Sequence, residues 1–212
     1  MEIQMSSLEI DGDRNCYDAM TKYLLDLKDV SGITCEVGLR RGGGTVHIIN
    51  SLIENGDKRT HVCIDPYGTI MYSDIAGVHR TDYTNQMRNQ TISDIFKFAY
   101  DKEVNLIFFN LEDSEFYKRF SDGVPVYDME KELANEYAFV HIDGQHDLES
   151  VMIAANFFKD RISLGGILVF DNTEQYDHDK VDYFLKENGF MFLENVQPCY
   201  RQFYKKVNGG VQ

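Results

Sequence analysis

The chain has no surplus of basic charge. Lys and Arg number 21 against 35 Asp and Glu, for a net charge of −14. That argues against a nucleic-acid backbone as the main partner, because phosphate binding needs basic surface. Only a local patch such as Arg40 and Arg41 offers one. No apolar run is long enough to span a bilayer. The opening MEIQMSSLEIDGD is acidic and lacks the basic and apolar regions of a signal peptide. The four cysteines, Cys16, Cys35, Cys63 and Cys199, show no metal-type spacing. Cys35 and Cys63 fall inside apolar runs, where a free thiol packs as a small hydrophobe. Together these absences predict a reducing, cytoplasmic setting with no membrane and no nucleic acid. Internal repeats and low-complexity tracts are also missing, and 212 residues suit one domain better than two.

What is present centres on Thr34 to Thr45, T-C-E-V-G-L-R-R-G-G-G-T. A short apolar segment ends at Glu36. Gly38 follows, then three residues, then Gly42, Gly43 and Gly44. Val46, Ile48, Ile49, Leu52 and Ile53 recur at helical spacing. The pattern reads as strand, tight loop, helix. A glycine loop can turn sharply and let a ligand approach the backbone. Its plain alternative is a turn at a helix start, since short glycine patterns match by chance.

The remaining elements follow in order. Tyr17, Met20, Leu24 and Leu27 share a helical face, predicting an N-terminal helix over roughly 13–29 within residues 1–32. His61 to Ile64 is a strand ending at Asp65. Gly68 to about Thr91 mixes aromatic, polar and methionine residues without periodicity, so 68–91 is a candidate lid or a surface excursion. A helix is marked by Ile92, Ile95, Phe96 and Ala99. Val104 to Phe109 is a strand, Glu115 to Phe120 a short helix, and Ser121 to Pro125 a turn. Tyr137 to Ile142 is a strand, and a helix carrying Val151, Ala154, Ala155 and Phe158 closes at Leu164-Gly165-Gly166. Ile167 to Phe170 is a strand and Val181 to Glu187 a helix. Phe190 to Val196 and Tyr200 to Lys206 form a hairpin. Alternation of strands and helices implies an α/β fold with a mostly parallel sheet and an antiparallel element at an edge.

Ligands in such sheets bind beyond the carboxyl ends of the strands. Those ends carry Glu36, Asp65, Asn110 to Ser114, Asp143 to His146, and Asp171-Asn172. Asp65 stands where an acidic residue grips ribose hydroxyls in nucleotide-binding folds; otherwise it is a turn or cap aspartate. Asp143, Asp171 and Asn172 end adjacent predicted strands. Three hard oxygen ligands suit Mg²⁺, or Ca²⁺ or Mn²⁺. With no cysteine or second histidine beside them, zinc is disfavoured. Loop capping is the alternative for each residue taken singly.

E-V-G-L-R-R-G-G-G-T, the acidic end of the second strand, V-H-I-D-G-Q-H and L-G-G-I-L-V-F-D-N together resemble the class I S-adenosylmethionine-dependent methyltransferases. G-L-R-R-G-G resembles the macrocin O-methyltransferase group, which acts on sugars of natural products. Asp143, Asp171 and Asn172 fall where catechol O-methyltransferase-like enzymes hold Mg²⁺. Over about residues 33–206, the resemblance implies a Rossmann-like, doubly wound, mostly parallel seven-stranded sheet with an antiparallel C-terminal hairpin. It places Glu36, Gly38, Gly42, Gly43, Gly44 and Thr45 at the methionine half of the cofactor, Asp65 at the ribose, and Asp113 and Ser114 near the adenine. It makes His146 the base, where the catechol enzymes use a lysine. The loop departs from the tightly spaced G-x-G-x-G of many methyltransferases.

Three readings of different class result. One is a metal-dependent O-methyltransferase acting on a small-molecule or sugar hydroxyl. Another is an NAD-binding oxidoreductase, in which the metal trio has no role; a catalytically inactive binding module is a third. Acceptor and homo-oligomer formation stay open at this stage.

Overall fold

The computed structural model describes residues 14–68, 71–74, 77–80 and 83–207. Three helices open the α/β alternation. Helix α1 spans Arg14–Leu25, α2 Gly43–Glu54 and α3 Asn85–Lys102. Strands β1 (Ile33–Val37), β2 (His61–Ile64) and β5 (Leu106–Phe109) belong to the main sheet, and β3 (Met71–Asp74) pairs with β4 (Gly77–Arg80) in a separate hairpin. Helix α4 (Asp113–Arg119) is followed by a second hairpin, β6 (Val124–Tyr127) and β7 (Lys131–Ala134). Then come β8 (Tyr137–Ile142), α5 (Leu148–Phe158), β9 (Ile162–Phe170), α6 (His178–Glu187), β10 (Phe190–Val196) and β11 (Arg201–Lys206).

The main sheet has seven strands in the order β10-β11-β9-β8-β1-β2-β5. All pairings from β9 to β5 are parallel, whereas β11 runs antiparallel to both neighbours. This is the Rossmann-like sheet expected from the sequence, with the C-terminal hairpin supplying the antiparallel strand. Side chains alternate across each strand. On one face, Cys35, Val37, Val140, Ile142, Leu168 and Phe170 pack against Val151, Ala154, Phe158, Val181 and Leu185 of α5 and α6. On the other face, Met20 and Leu24 of α1 and Ile48 and Leu52 of α2 cover Phe139, Val169 and Phe203. Fully burying one such side chain stabilises the fold by about 1.5–3 kcal/mol. The second face is not wholly apolar. Thr34, Glu36, His61 and His141 point into it as a buried polar seam.

Several boundaries differ from the sequence reading. Helix α3 starts at Asn85 rather than near Ile92, because Thr84 caps it by accepting a hydrogen bond from the Met87 N–H. Its first turns are polar and exposed, so they carried no periodicity. Within the candidate lid, 69–70, 75–76 and 81–82 lie outside the described residues, and β3 and β4 occupy part of what was read as irregular chain. The helix expected to end at Leu164-Gly165-Gly166 ends at Phe158. Those glycines lie inside β9, whose register with β8 shifts between Tyr137 and Phe139. Val124 and Pro125, read as a turn, begin β6.

Cys35 and Cys63 are free and buried, as expected. Cys199 is disulfide-bonded, a state that cytosolic proteins rarely keep. Among the described residues, no helix is long and apolar enough to cross a membrane.

Candidate active site

The carboxyl ends of β1, β2, β8 and β9 form one rim. Backbone hydrogen bonds carry the parallel ladder one step beyond the strands: Gly38 N–H to Ile64 O, Asp65 N–H to Phe109 O, Asp143 N–H to Val37 O and Asp171 N–H to Ile142 O. Asp143 and Asp171 therefore stand side by side at the ends of neighbouring strands. A Cβ at Gly38 would sit 1.9 Å from the Asp143 carbonyl oxygen, and Gly38 has φ +88°. Only glycine lets β1 turn away this close to β8.

Asp65 is 2 % exposed. Its Oδ2 accepts from the backbone N–H groups of Leu39 and Arg40, at 2.9 and 3.0 Å, and its Oδ1 accepts from Tyr67 N–H at 2.9 Å. The carboxylate thus holds the glycine loop in place. Three of its roughly four acceptor positions are taken. Burial raises its pKa, and the three backbone donors pull it down.

Glu36 is buried beneath the first turn of α2. Thr45 Oγ1 donates to its Oε2 at 2.6 Å, and His141 Nδ1 lies 3.0 Å from its Oε1. A Cβ on Gly44 would lie 1.8 Å from Oε1, so this glycine makes room for the carboxylate. Glu36 and Thr45 accordingly face the polar seam, where His61 Nδ1 lies 2.8 Å from Thr34 Oγ1. Gly42 caps α2 in the left-handed conformation and Gly43 begins the helix. Asp113, which begins α4, accepts from the Ser114 N–H, and burial raises its pKa.

His146 Nε2 is 3.6 Å from Asp143 Oδ1. Burial lowers the pKa of this imidazole, while the charges of Asp171 and Asp147 pull it up and His141 pulls it down. Asn172 adopts φ +51° and its N–H donates to Asp171 Oδ1. Asp143 and Asp171 thus end neighbouring strands, Asn172 follows Asp171 directly, and His146 stands beside Asp143.

Two residues of this cluster were missed. His141 offers a ligand atom within 4.8 Å of those of Asp143 and Asp171. It precedes Asp143 by two residues, so strand alternation alone puts both on one side. Arg201 is fully buried, and its Nη2 donates to Asp171 Oδ2 at 2.5 Å. Its guanidinium lies over the Tyr17 ring, 4.9 Å from the centroid. Burial works against its charge, but Asp171, and behind it Asp143, raise its pKa overall.

A family model described as a methyltransferase domain matches residues 35–173, and the chain belongs to that family. It is a class I S-adenosylmethionine-dependent methyltransferase. Among solved structures, the chain is similar to the O-methyltransferase NovP, at 15% identity and TM-score 0.58 over 91% of this chain and 79% of that one. It is also similar to CalS11, a TDP-rhamnose 3'-O-methyltransferase in calicheamicin biosynthesis, at 12% identity and TM-score 0.53 over 97% and 80%. An rRNA methylase from Streptococcus thermophilus shares the fold at 12% identity and TM-score 0.52 over 90% and 95%. No curated protein matches the sequence at a significant level.

Proposed function

We propose that this methyltransferase transfers the methyl group of S-adenosylmethionine to a hydroxyl of a small molecule or sugar, with a divalent cation such as Mg²⁺ at Asp143, Asp171 and Asn172. The observation that carries this reading is the pairing of Asp143 and Asp171 at the ends of β8 and β9, with an imidazole 3.6 Å from one of them. The donor set fits a cation, because hard oxygens dominate it and a buried imidazole nitrogen beside them has no protein partner. A divalent ion there would supply a Lewis acid that lowers the pKa of an acceptor hydroxyl.

The chain's own groups have the other roles. The glycine loop and the N-terminus of α2 offer backbone N–H groups and a favourable dipole for the carboxylate of the methionine moiety. Asp65 shapes that loop, and its remaining acceptor position is suited to a ribose hydroxyl. Asp113 and Ser114 lie farther along the rim, on the adenine side. His146, whose pKa is lowered chiefly by desolvation, accepts the acceptor's proton at Nε2. Residues 68–91 close over the acceptor, and positioning supplies much of the rate. The acidic net charge favours a small acceptor over RNA.

Titration calorimetry with S-adenosylhomocysteine and with NAD tests the cofactor assignment. Binding of the former alone is expected; binding of NAD alone would move the chain to the oxidoreductases. Methyl transfer to a panel of phenols and sugars, with and without chelator, tests the acceptor class and the metal.

A further inference from the structure

The polar seam under α2 holds a group that the proposed reaction leaves unused. His141 is 0 % exposed. Its Nδ1 faces Glu36 Oε1 at 3.0 Å. A carboxylate only accepts, so this contact places the ring proton on Nδ1. In the neutral ring Nε2 then carries the lone pair. That atom is buried, has no hydrogen-bond partner and lies 3.9 Å from Asp171 Oδ2, too far for a hydrogen bond. Asp143 offers an oxygen within the same 4.8 Å cluster. A lone pair aimed at two carboxylates is repulsive unless a cation lies between them.

Arg201 holds Asp171 by Oδ2, the oxygen that His141 Nε2 approaches at 3.9 Å, and so fixes that carboxylate in the cluster. Glu36 also acquires a purpose. A metal-bound histidine commonly donates its other ring N–H to a carboxylate, which fixes the ring and raises its basicity. Glu36, itself held by Thr45 and accommodated by Gly44, is placed to do this.

We infer that the cation site is completed by His141 Nε2 and takes a first-row transition-metal dication in preference to Mg²⁺. This rests on the proposed metal site but changes its ligand set and its ion. Imidazole suits Mn²⁺, Fe²⁺ and Co²⁺ better than Mg²⁺, which is bound chiefly by oxygens. Arg201 braces Asp171, and Glu36 braces His141.

The test is pulsed electron paramagnetic resonance on the full chain, stripped of metal and reloaded with Mn²⁺. The expected spectrum shows ¹⁴N modulation from a directly bound imidazole. That coupling persists in His146→Ala, which removes the other imidazole in contact with Asp143, and is lost in His141→Gln. Glu36→Gln is expected to keep the coupling and weaken Mn²⁺ binding by about 10–100-fold. Mg²⁺ is expected to displace Mn²⁺ only at an excess on the order of tenfold or more. If His141→Gln fails to fold, wild type and His146→Ala decide alone: coupling in both supports His141. Bound Mn²⁺ without ¹⁴N coupling, or with coupling that vanishes in His146→Ala, overturns the inference and leaves the oxygen-ligand site standing. If Mn²⁺ and Mg²⁺ both fail to bind at millimolar concentration, the inference and the proposed metal site fall together.

Discussion

Arg201 and Asp171 form an ion pair at the carboxyl end of the sheet, Nη2 to Oδ2 at 2.5 Å, with both side chains almost wholly out of solvent. Taking two charges out of water is costly, and the pair offsets this only while both members are present. Removing one is therefore expected to be worse than never having had either. Arg201→Met leaves Asp171 buried and unanswered, and should lower stability by about 3–5 kcal/mol. Urea unfolding of the metal-free protein measures it. Loss of less than about 1 kcal/mol would mean that Asp171 finds water or a proton instead.

Asp65 and the glycine loop give a second prediction. Because its carboxylate accepts from three backbone N–H groups, Asp65→Ala strips buried donors of their partners. Cofactor affinity is expected to fall about ten- to a hundredfold, and stability by about 1–3 kcal/mol at the same time. Calorimetry and urea unfolding on one preparation separate the two losses. Weakened binding with unchanged stability would assign Asp65 to the ligand alone.

The succession of main-sheet strands along the chain was legible because each central strand is a short apolar run closed by a polar residue. The site was legible only where its residues sat at those ends. Asp143 and Asp171 satisfied that rule. His141 did not, because inside an apolar strand it read as one tolerated polar residue; the alternation that pairs it with Asp143 was the available clue. Arg201 had no local signal. It reaches Asp171 because β11 pairs antiparallel with β9, setting Gln202 opposite Phe170, and no pattern around Arg201 encodes that register. Glycines were read as room for a ligand, whereas Gly44 makes room for Glu36 and Gly38 for the Asp143 backbone. Sequence shows that a Cβ is unwelcome without showing what it would strike.

Two buried histidines predict how stability depends on pH. Burial pushes His61 down to about 4, although Glu36 nearby works the other way. Burial also pushes His178 down to about 4, with Asp182 opposing. The ordinary value is 6.5 for both. The unfolded chain therefore takes up protons first as pH falls. The stability that each neutral ring contributes is fully present above 6.5 and is lost as pH drops towards 4. The loss is about 2 kcal/mol per histidine at pH 5. Urea midpoints at pH 7.5 and 5 should reveal it, and His178→Gln should shed about half of the part due to these two rings. An identical pH response in that variant would show that His178 does not titrate out of a neutral buried state.

His146 ties the metal to the proton. Chelator is expected to abolish methyl transfer, and added divalent ion to restore it. Asp143→Ala and Asp171→Ala should depress turnover far more than cofactor binding, because the assigned ion serves the acceptor and not the methyl donor. His146→Ala removes a proton acceptor, which costs about 10²- to 10⁴-fold in rate. Metal affinity should change little in that variant, because His146 is assigned to proton removal and not to coordination. The working form of His146 is the neutral ring. Burial holds its pKa below the usual 6.5, so the rate of the wild-type enzyme should climb with pH on an acidic limb lying below that value and be flat at neutrality. His146→Ala should lose that limb. Wild-type turnover in excess chelator would end the metal assignment. Chelator-sensitive turnover that survives His146→Ala unchanged would keep the metal and move the proton to another group on the same rim, with Asp147, the residue that caps α5 by accepting from Ser150 N–H, the nearest in sequence.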